Sequence, residues 1–456
     1  MSVAADPDEA EAYLAAYPET ETVDLLFTDL NGIFRGKQIP PTGLVDVFRN
    51  GIRLPGSIFS GDVTGASVIE AGLVWEVGDA DQACIVVPGS LAPVPWRSGS
   101  AAQLLMTMEN QDGTPYFADP RQALGRVVEG LAEDGLYPVV AFELEFYLLD
   151  RETGPDGAPQ PPLSPRTGRR QREVQVYGMA ELDEFEDLFR DLAAGAAAQG
   201  LPIDTTIAEY APGQYETNLH HGGDPLRAAD QALLLKRLVR GVAQSHCFDS
   251  TFLSKPFADQ AGNGMHLHVS LCDGDGSNVF AAEANEGSAV LHHGIGGLGA
   301  AMAESMAIFA ANANAFRRFE AGSYAPLAPS WGYDNRTVAF RIPFGPPESR
   351  RVEHRLSGAD ANPYLVLAAV LAGLHHGIAR KLDPGERTVG NAYEQHGVAV
   401  PTRWEDALDA LAEGEILPRY IDPELLRIYR QTKESERRSF LREVTPSERA
   451  LYLRAV

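Results

Sequence analysis

Residues 139–149, VVAFELEFYLL, alternate so strictly that an extended strand puts Phe142, Leu144 and Phe146 on one face and Glu143 and Glu145, with Ala141 and Tyr147, on the other. Two carboxylates side by side on one strand face repel each other unless cations lie between them. The chain repeats this device. In TVAFRI (337–342) Val338, Phe340 and Ile342 oppose Arg341, and in RVEHRL (351–356) Val352 and Leu356 oppose Arg351, Glu353 and Arg355. In AGNGMHLHVS (261–270) Met265, Leu267 and Val269 oppose His266, His268 and Ser270. Glu209 and Glu216 flank the tight turn YAPGQY, so a hairpin there brings both to one sheet face. Taken singly, each segment reads equally well as a solvated strand face, and a lone His-x-His serves a metal, a nucleotide or nothing. Taken together, five carboxylates, one or two imidazoles and several arginines describe an assembled site. Hard oxygen ligands with a minority of imidazole suit Mg²⁺ or Mn²⁺ rather than zinc. Arginines on the same face bind phosphate oxygens or a carboxylate through paired N–H groups. The combination points to phosphoryl transfer.

The rest of the sequence narrows the setting. With 456 residues the chain can bury a large core in two or more domains, and its formal charge of −25 disfavours nucleic acid and anionic membrane as partners. The acidic stretch MSVAADPDEAEAYLAAYPE lacks the basic and apolar regions of a secretory signal, and the longest apolar run, YLVLAAVLAGL, is too short to span a bilayer. Cys84, Cys247 and Cys272 are scattered and odd in number, which argues against a disulfide framework or a thiolate metal cluster. A reducing cytoplasm is the expected location.

Residues 23–39, VDLLFTDLNGIFRGKQI, read as a hairpin turning through Asn31-Gly32, and LVWEVG, ACIVV and QLLMTM read as further strands. ENQDGTPYFADPR (109–121) supplies linker residues. The expected division is an N-terminal extension over 1–18, a small β-rich domain over 19–112 and an α+β part over 113–456. Helical patterns occupy 120–133, 184–199, 224–246, 300–319, 361–381 and 422–440, and the Pro- and Arg-rich segment 154–173 reads as an exposed loop. GIGGLG (294–299) matches a dinucleotide fingerprint but lacks the preceding strand and later acidic strand end, and GIFRGKQ is a hairpin turn rather than a P-loop.

The ordered stretches DLNGIFRGKQIP, FELEFYLL, EYAPGQYETN, KPFADQAGNGMHLHVS, NRTVAFRIP and RRVEHRLSGADANPYL resemble the glutamine synthetase family through most of the chain. The resemblance implies an α+β subunit with an N-terminal β-grasp domain and a catalytic domain whose curved antiparallel sheet is flanked by helices. It implies homo-oligomeric rings of six, stacked as a dodecamer, with active sites between the N-terminal domain of one subunit and the catalytic domain of its neighbour. Carried over by motif, Glu145, Glu209 and Glu216 would hold one metal, and Glu143, His266 and Glu353 a second. His268 and Ser270 would approach ATP, and Arg341 and Arg351 its phosphates. Arg336 would meet the phosphoryl group in flight, while Arg318 and Arg355 would grip glutamate in a pocket lined by Gly262 and His266. The chemistry is coherent, because a carboxylate must become an acyl phosphate before an amine can displace its oxygen.

Two places depart from ammonia-using members. AGSYAP has Tyr324 where those members carry an acid, and LPGSIF has Pro55 where a second acid is expected. The expectation is an ATP-dependent ligase joining the γ-carboxylate of glutamate to an organic amine, such as putrescine or ethanolamine. A glutamine synthetase using ammonia is the alternative, followed by a non-catalytic scaffold, which would lack some of the ligands. Asp62 is the candidate base in the N-terminal loop. GNAYEQHG, with Tyr393, does not match the family's adenylylated loop, so that control is not expected.

Overall fold

The computed structural model describes residues 5–155, 157–282 and 286–456; residues 1–4 of the expected N-terminal extension lie outside them. The remainder of that extension carries a helix over Pro7–Ala16, started by Asp6, whose side chain accepts from Asp8 N, and by Pro7 at the first helical position.

The first sheet comprises β1 (Thr22–Thr28), β2 (Phe34–Ile39), β3 (Ile52–Pro55), β4 (Asp81–Val86), β5 (Ala92–Pro93) and β6 (Ala101–Glu109). Its order is β2-β1-β6-β4-β3, with β5 on β6; β1 and β6 are parallel and the other pairs antiparallel. The β1–β2 hairpin turns where expected: Asp29 Oδ1 accepts from the N–H groups of Asn31 and Ile33, and Gly32 has a positive φ of 73°. LVWEVG is not a strand. Gly72, Gly78 and Asp79 have positive φ, so the segment curls into turns that bury Leu73 and Val74 and leave Trp75 exposed.

The second sheet comprises β7 (Tyr137–Leu149), β8 (Ile203–Ala208), β9 (Gln214–Leu219), β10 (Asp249–Thr251), β11 (Met265–Cys272), β12 (Trp331–Tyr333), β13 (Phe340–Ile342) and β14 (Val352–His354). Its order is β12-β13-β14-β11-β7-β9-β8, with β10 on β7. It is antiparallel except at its edge, where β12 and β13 run parallel. The apolar faces foreseen above are buried: Phe142, Leu144, Phe146, Met265, Leu267, Val269, Ile342 and Val352 are fully inaccessible. Each large apolar side chain so buried is worth about 1.5–3 kcal/mol.

Helices over Pro120–Glu133, Glu186–Ala198, Pro225–Ser245, Pro363–Arg380 and Pro423–Arg442 follow the sequence patterns. Four of these five begin with proline after an Asp or Asn whose side chain accepts from an N–H of the first turn. The helix expected at 300–319 instead spans Ala289–Phe309 and ends before a short 3₁₀ turn at Ala315–Arg318. It therefore contains GIGGLG. A Cβ on Gly297 would sit 2.1 Å from Gly373 O, and one on Gly377 would sit 2.1 Å from His293 O, so these glycines let two helices cross at backbone contact. Tertiary packing thus overrides glycine's poor helix propensity. A helix over Trp404–Glu413 escaped the sequence reading. Among the described residues no helix is long and apolar enough to cross a membrane.

Candidate active site

Strand register assembles the polar face. Glu145 pairs with Glu216 across β7–β9, Glu143 with His266 across β7–β11, His268 with Glu353 across β11–β14, and Arg341 with Glu353 across β13–β14. Directly opposed residues share a face, so strands distant in sequence deliver their charges to one patch. Glu209 lies just beyond β8, and its N–H bonds Gln214 O at 2.9 Å to close the hairpin onto β9.

Glu145, Glu209 and Glu216 place ligand atoms within 4.8 Å of one another; so do Glu143, Glu216 and His266, and Glu143, His268 and Glu353. The first group is a concentration of negative charge with little relief. Burial and then the Glu209 charge push the Glu145 carboxyl up to about 8, although Gly264 N donates to it at 2.6 Å. Burial, followed by repulsion from Glu143, Glu145 and Glu209, raises Glu216 well above the usual carboxylate range. Burial raises Glu209 too, against the pull of Arg336 and Arg355. A divalent cation is the group that would remove this conflict, and three oxygen donors are the right kind for Mg²⁺ or Mn²⁺.

The second half of the patch is balanced. Burial alone would raise Glu353, but Arg355, the two imidazoles and Arg341 overcome it and bring the carboxyl down to about 2. Arg341 and Arg355 both donate to it. Glu143 is likewise held below its ordinary range, because hydrogen bonds from His266 and His268 outweigh burial. The two histidines differ. Arg351 Nε can only donate, and it lies 3.1 Å from His268 Nδ1; that nitrogen therefore carries the lone pair, and Nε2 gives its proton to Glu143 Oε1 at 2.8 Å. His268 is thus committed between Arg351 and Glu143. His266 Nδ1 lies 3.2 Å from Glu143 Oε2 and 3.9 Å from Glu353 Oε1, and burial lowers its proton affinity, keeping the imidazole neutral as a metal ligand must be.

Arg318 is buried and donates to Leu356 O at 3.0 Å. Gly262 has no room for a side chain, since a Cβ would fall 2.7 Å from both Arg318 Cγ and Ser254 O. Ser270 follows His268 on the same face of β11, half-buried. Arg336 is exposed, with its charge acting on Glu209. Tyr324 is 57% exposed at a φ of 60°, on an irregular loop. Asp62 is not brought to the patch: its carboxylate accepts from Thr64 N, Thr64 Oγ1 and Ala66 N within its own turn, and the next residue, Val63, donates to Glu436. Pro55 ends β3, opposite Asp81.

Sequence reasoning missed Gln214, whose buried amide donates to Gly262 O and Asn263 Oδ1 and so fixes the glycine loop. No periodicity marks such a residue. A cavity of about 710 Å³ lies against the helix Pro225–Ser245, lined in part by Arg97, Lys236, Arg237 and Arg240 and by none of the patch residues.

Residues 117–452 match the model of the glutamine synthetase catalytic domain. The chain belongs to the glutamine synthetase family. It is 44% identical to γ-glutamylputrescine synthetase PuuA of Escherichia coli (strain K12), over 96% of this chain and 93% of that one. With the glutamate–isopropylamine ligase of a Pseudomonas species it shares 32% identity over 95% of each chain. Among solved structures of this family, a GmaS/ADP complex superposes with a TM-score of 0.84 at 28% identity, covering 99% of this chain and all (100%) of that one. The α+β fold with its sheet and flanking helices is thus that of glutamine synthetase-like enzymes.

Proposed function

We propose that this protein is an ATP-dependent ligase that joins the γ-carboxylate of glutamate to an organic amine through γ-glutamyl phosphate, with putrescine the leading acceptor. The observation that carries this reading is the near-full-length likeness to an enzyme named for γ-glutamylputrescine synthesis. Tyr324 adds to it: a phenol is neutral at pH 7 and cannot offer ammonium the full charge of a carboxylate, but it can flank a wider, partly apolar entrance. A net charge of −25 also favours encounter with a cationic amine.

In the first step a γ-carboxylate oxygen of glutamate attacks the γ-phosphorus of ATP and ADP departs. In the second, the amine lone pair attacks the acyl carbon, phosphate leaves, and the nitrogen gives up a proton. Arg318 and Arg355, with Gly262 and His266 beside them, hold glutamate; His268, Ser270, Arg341 and Arg351 face ATP; Arg336 stabilises the phosphoryl group during transfer. Glu145, Glu209 and Glu216 would hold one Mg²⁺ or Mn²⁺, and Glu143, His266 and Glu353 another. Bound there, the cations supply neutralisation of phosphate charge. Asp62, held within its own turn, would serve a neighbouring subunit if the chain assembles as the shared-site rings of six or twelve that we propose.

The test is mass-spectrometric product analysis with ATP, glutamate and putrescine, ethanolamine, isopropylamine or ammonium at equal concentration. A γ-glutamyl amide should dominate; glutamine as the main product restores the ammonia reading.

Cation binding carries its own signature. With Glu145 near 8 and Glu216 raised as well, the cation-free site retains protons at pH 7 that the metal must displace. Affinity at the Glu145–Glu209–Glu216 site should therefore rise with pH between about 6 and 8, with roughly one proton released by the ion bound there and none by the ion of the second site. Calorimetry in buffers of different ionisation enthalpy measures this, and an absence of proton release is incompatible with the assigned ligands.

A further inference from the structure

The motif around Tyr393 is not used by the mechanism above, yet the segment carrying it is tied to both loops that border the patch. Thr388 N donates to Trp331 O at 2.8 Å, and Trp331 Nε1 donates to Gly385 O at 3.1 Å. Asn335 Nδ2 donates to Gly390 O at 2.8 Å, and Ala392 N donates to Thr337 Oγ1 at 3.0 Å, so the residues on either side of Arg336 are held by this segment. Further on, Tyr393 OH donates to Ala325 O at 2.9 Å, and Ala399 N donates to Leu327 O at 2.8 Å.

The second pair of bonds reaches the loop that presents Tyr324. This loop has neither helix nor strand to hold it, and Tyr324 stands at positive φ, a conformation unfavourable for a bulky residue unless its neighbours hold it. Ser323 is fixed from the preceding side, its hydroxyl lying 2.8 Å from Arg318 O and 2.7 Å from Glu320 O. Ala325, next in sequence and buried, is fixed by the phenol of Tyr393. The Tyr393 hydroxyl therefore closes the clamp whose free tip is the Tyr324 ring.

We infer that Tyr393 is a positioning residue for amine selection: its hydroxyl, bonded to Ala325 O, sets the height of Tyr324 at the rim of the acceptor entrance, while Asn335 in the same brace sets Arg336. This deepens the amine-ligase reading and rests on it. The division of labour is physical. The loss of one tether on an irregular loop widens the range of positions Tyr324 visits and weakens its grip on the acceptor. The carboxylates, histidines and arginines on the strands stay in place, so acyl-phosphate formation continues.

The experiment compares wild type, Tyr393→Phe and Asn335→Ala. Tyr393→Phe keeps the ring and removes only the hydroxyl. It should raise the KM for putrescine about threefold to tenfold, the range of one net hydrogen bond. The rate of γ-glutamyl hydroxamate formation with saturating hydroxylamine should stay within about twofold, because that acceptor is too small to depend on the rim. Asn335→Ala should instead lower kcat with both acceptors and leave the putrescine KM unchanged. The proposal is overturned by an unchanged putrescine KM in Tyr393→Phe, or by parallel losses with both acceptors accompanied by a lower Tm, which mark a merely structural role. If the wild type proves to make glutamine, the amine reading fails separately. That failure is read in the wild type alone and takes the amine-selection role with it, whereas an unchanged putrescine KM in Tyr393→Phe of a working amine ligase overturns the positioning role by itself.

Discussion

Glu216→Gln should abolish ATP-dependent turnover while making the cation-free protein more stable. The two effects have one cause. Glu216, Glu145 and Glu209 are crowded carboxylates whose proton affinities are raised by burial and mutual repulsion, so each resists ionisation in the cation-free fold. An amide of the same shape removes one charge from that conflict. It also removes a proposed metal ligand, and with it a share of the phosphate neutralisation, which is worth several kcal/mol; at about 1.4 kcal/mol per factor of ten this is a loss of roughly 10³ or more. The pH dependence follows with a definite sign. A carboxyl whose folded pKa is above its unfolded value of 4.5 favours the fold most below that value, and the advantage fades as pH climbs towards about 8 for Glu145. In EDTA the wild-type Tm should therefore fall across this window, and less steeply in Glu216→Gln. Added Mg²⁺ or Mn²⁺ should raise the wild-type Tm more than that of the variant. Full activity in Glu216→Gln would sink the metal assignment, and so would full activity in Glu145→Ala or Glu353→Ala.

Arg336→Ala and Arg355→Ala should fail differently. Arg336 is exposed, and its charge reaches the patch where phosphoryl transfer is proposed. Its removal should lower kcat for acyl-phosphate formation by on the order of 10² to 10³, the usual cost of a donor acting in the transition state, with little change in glutamate KM. Arg355 is buried and donates to Glu353. Alanine there should raise the glutamate KM and also weaken the metal site, because Glu353 would lose the main charge that keeps its carboxyl near 2. Steady-state kinetics with glutamate varied at saturating ATP separates the two, and an unchanged glutamate KM in Arg355→Ala removes it from the glutamate clamp.

Where a residue's place on a sheet face depended on strand alternation, the sequence was enough. The two-residue period fixes which side chains share a face whatever the rest of the chain does, so Glu143 with Glu145, His266 with His268, and Glu353 with Arg351 and Arg355 could be paired off before any fold was known. Helices started by Asp or Asn before proline were legible for a similarly local reason. Errors arose where local signals meet long-range packing. LVWEVG is apolar at Leu73 and Val74 because these two are buried from within a series of turns, and GIGGLG lies in a helix that a second helix crosses at glycine contact.

The sequence by itself determined the chemical inventory of this protein: carboxylates, two imidazoles and arginines on alternating strand faces, and the phenol of Tyr324 in AGSYAP. Only the tertiary structure decided how these groups divide. Strand register sets Glu145 against Glu216 and Glu143 against His266, and the Arg351 bond to His268 separates two histidines that are alike in sequence. The same folding ties the Asp62 carboxylate into its own turn and brings Tyr393 to Ala325, 68 residues away. Alternation is a property of each strand alone, whereas register and loop tethering are set by where distant segments find their lowest free energy together, and no short stretch of sequence encodes that choice.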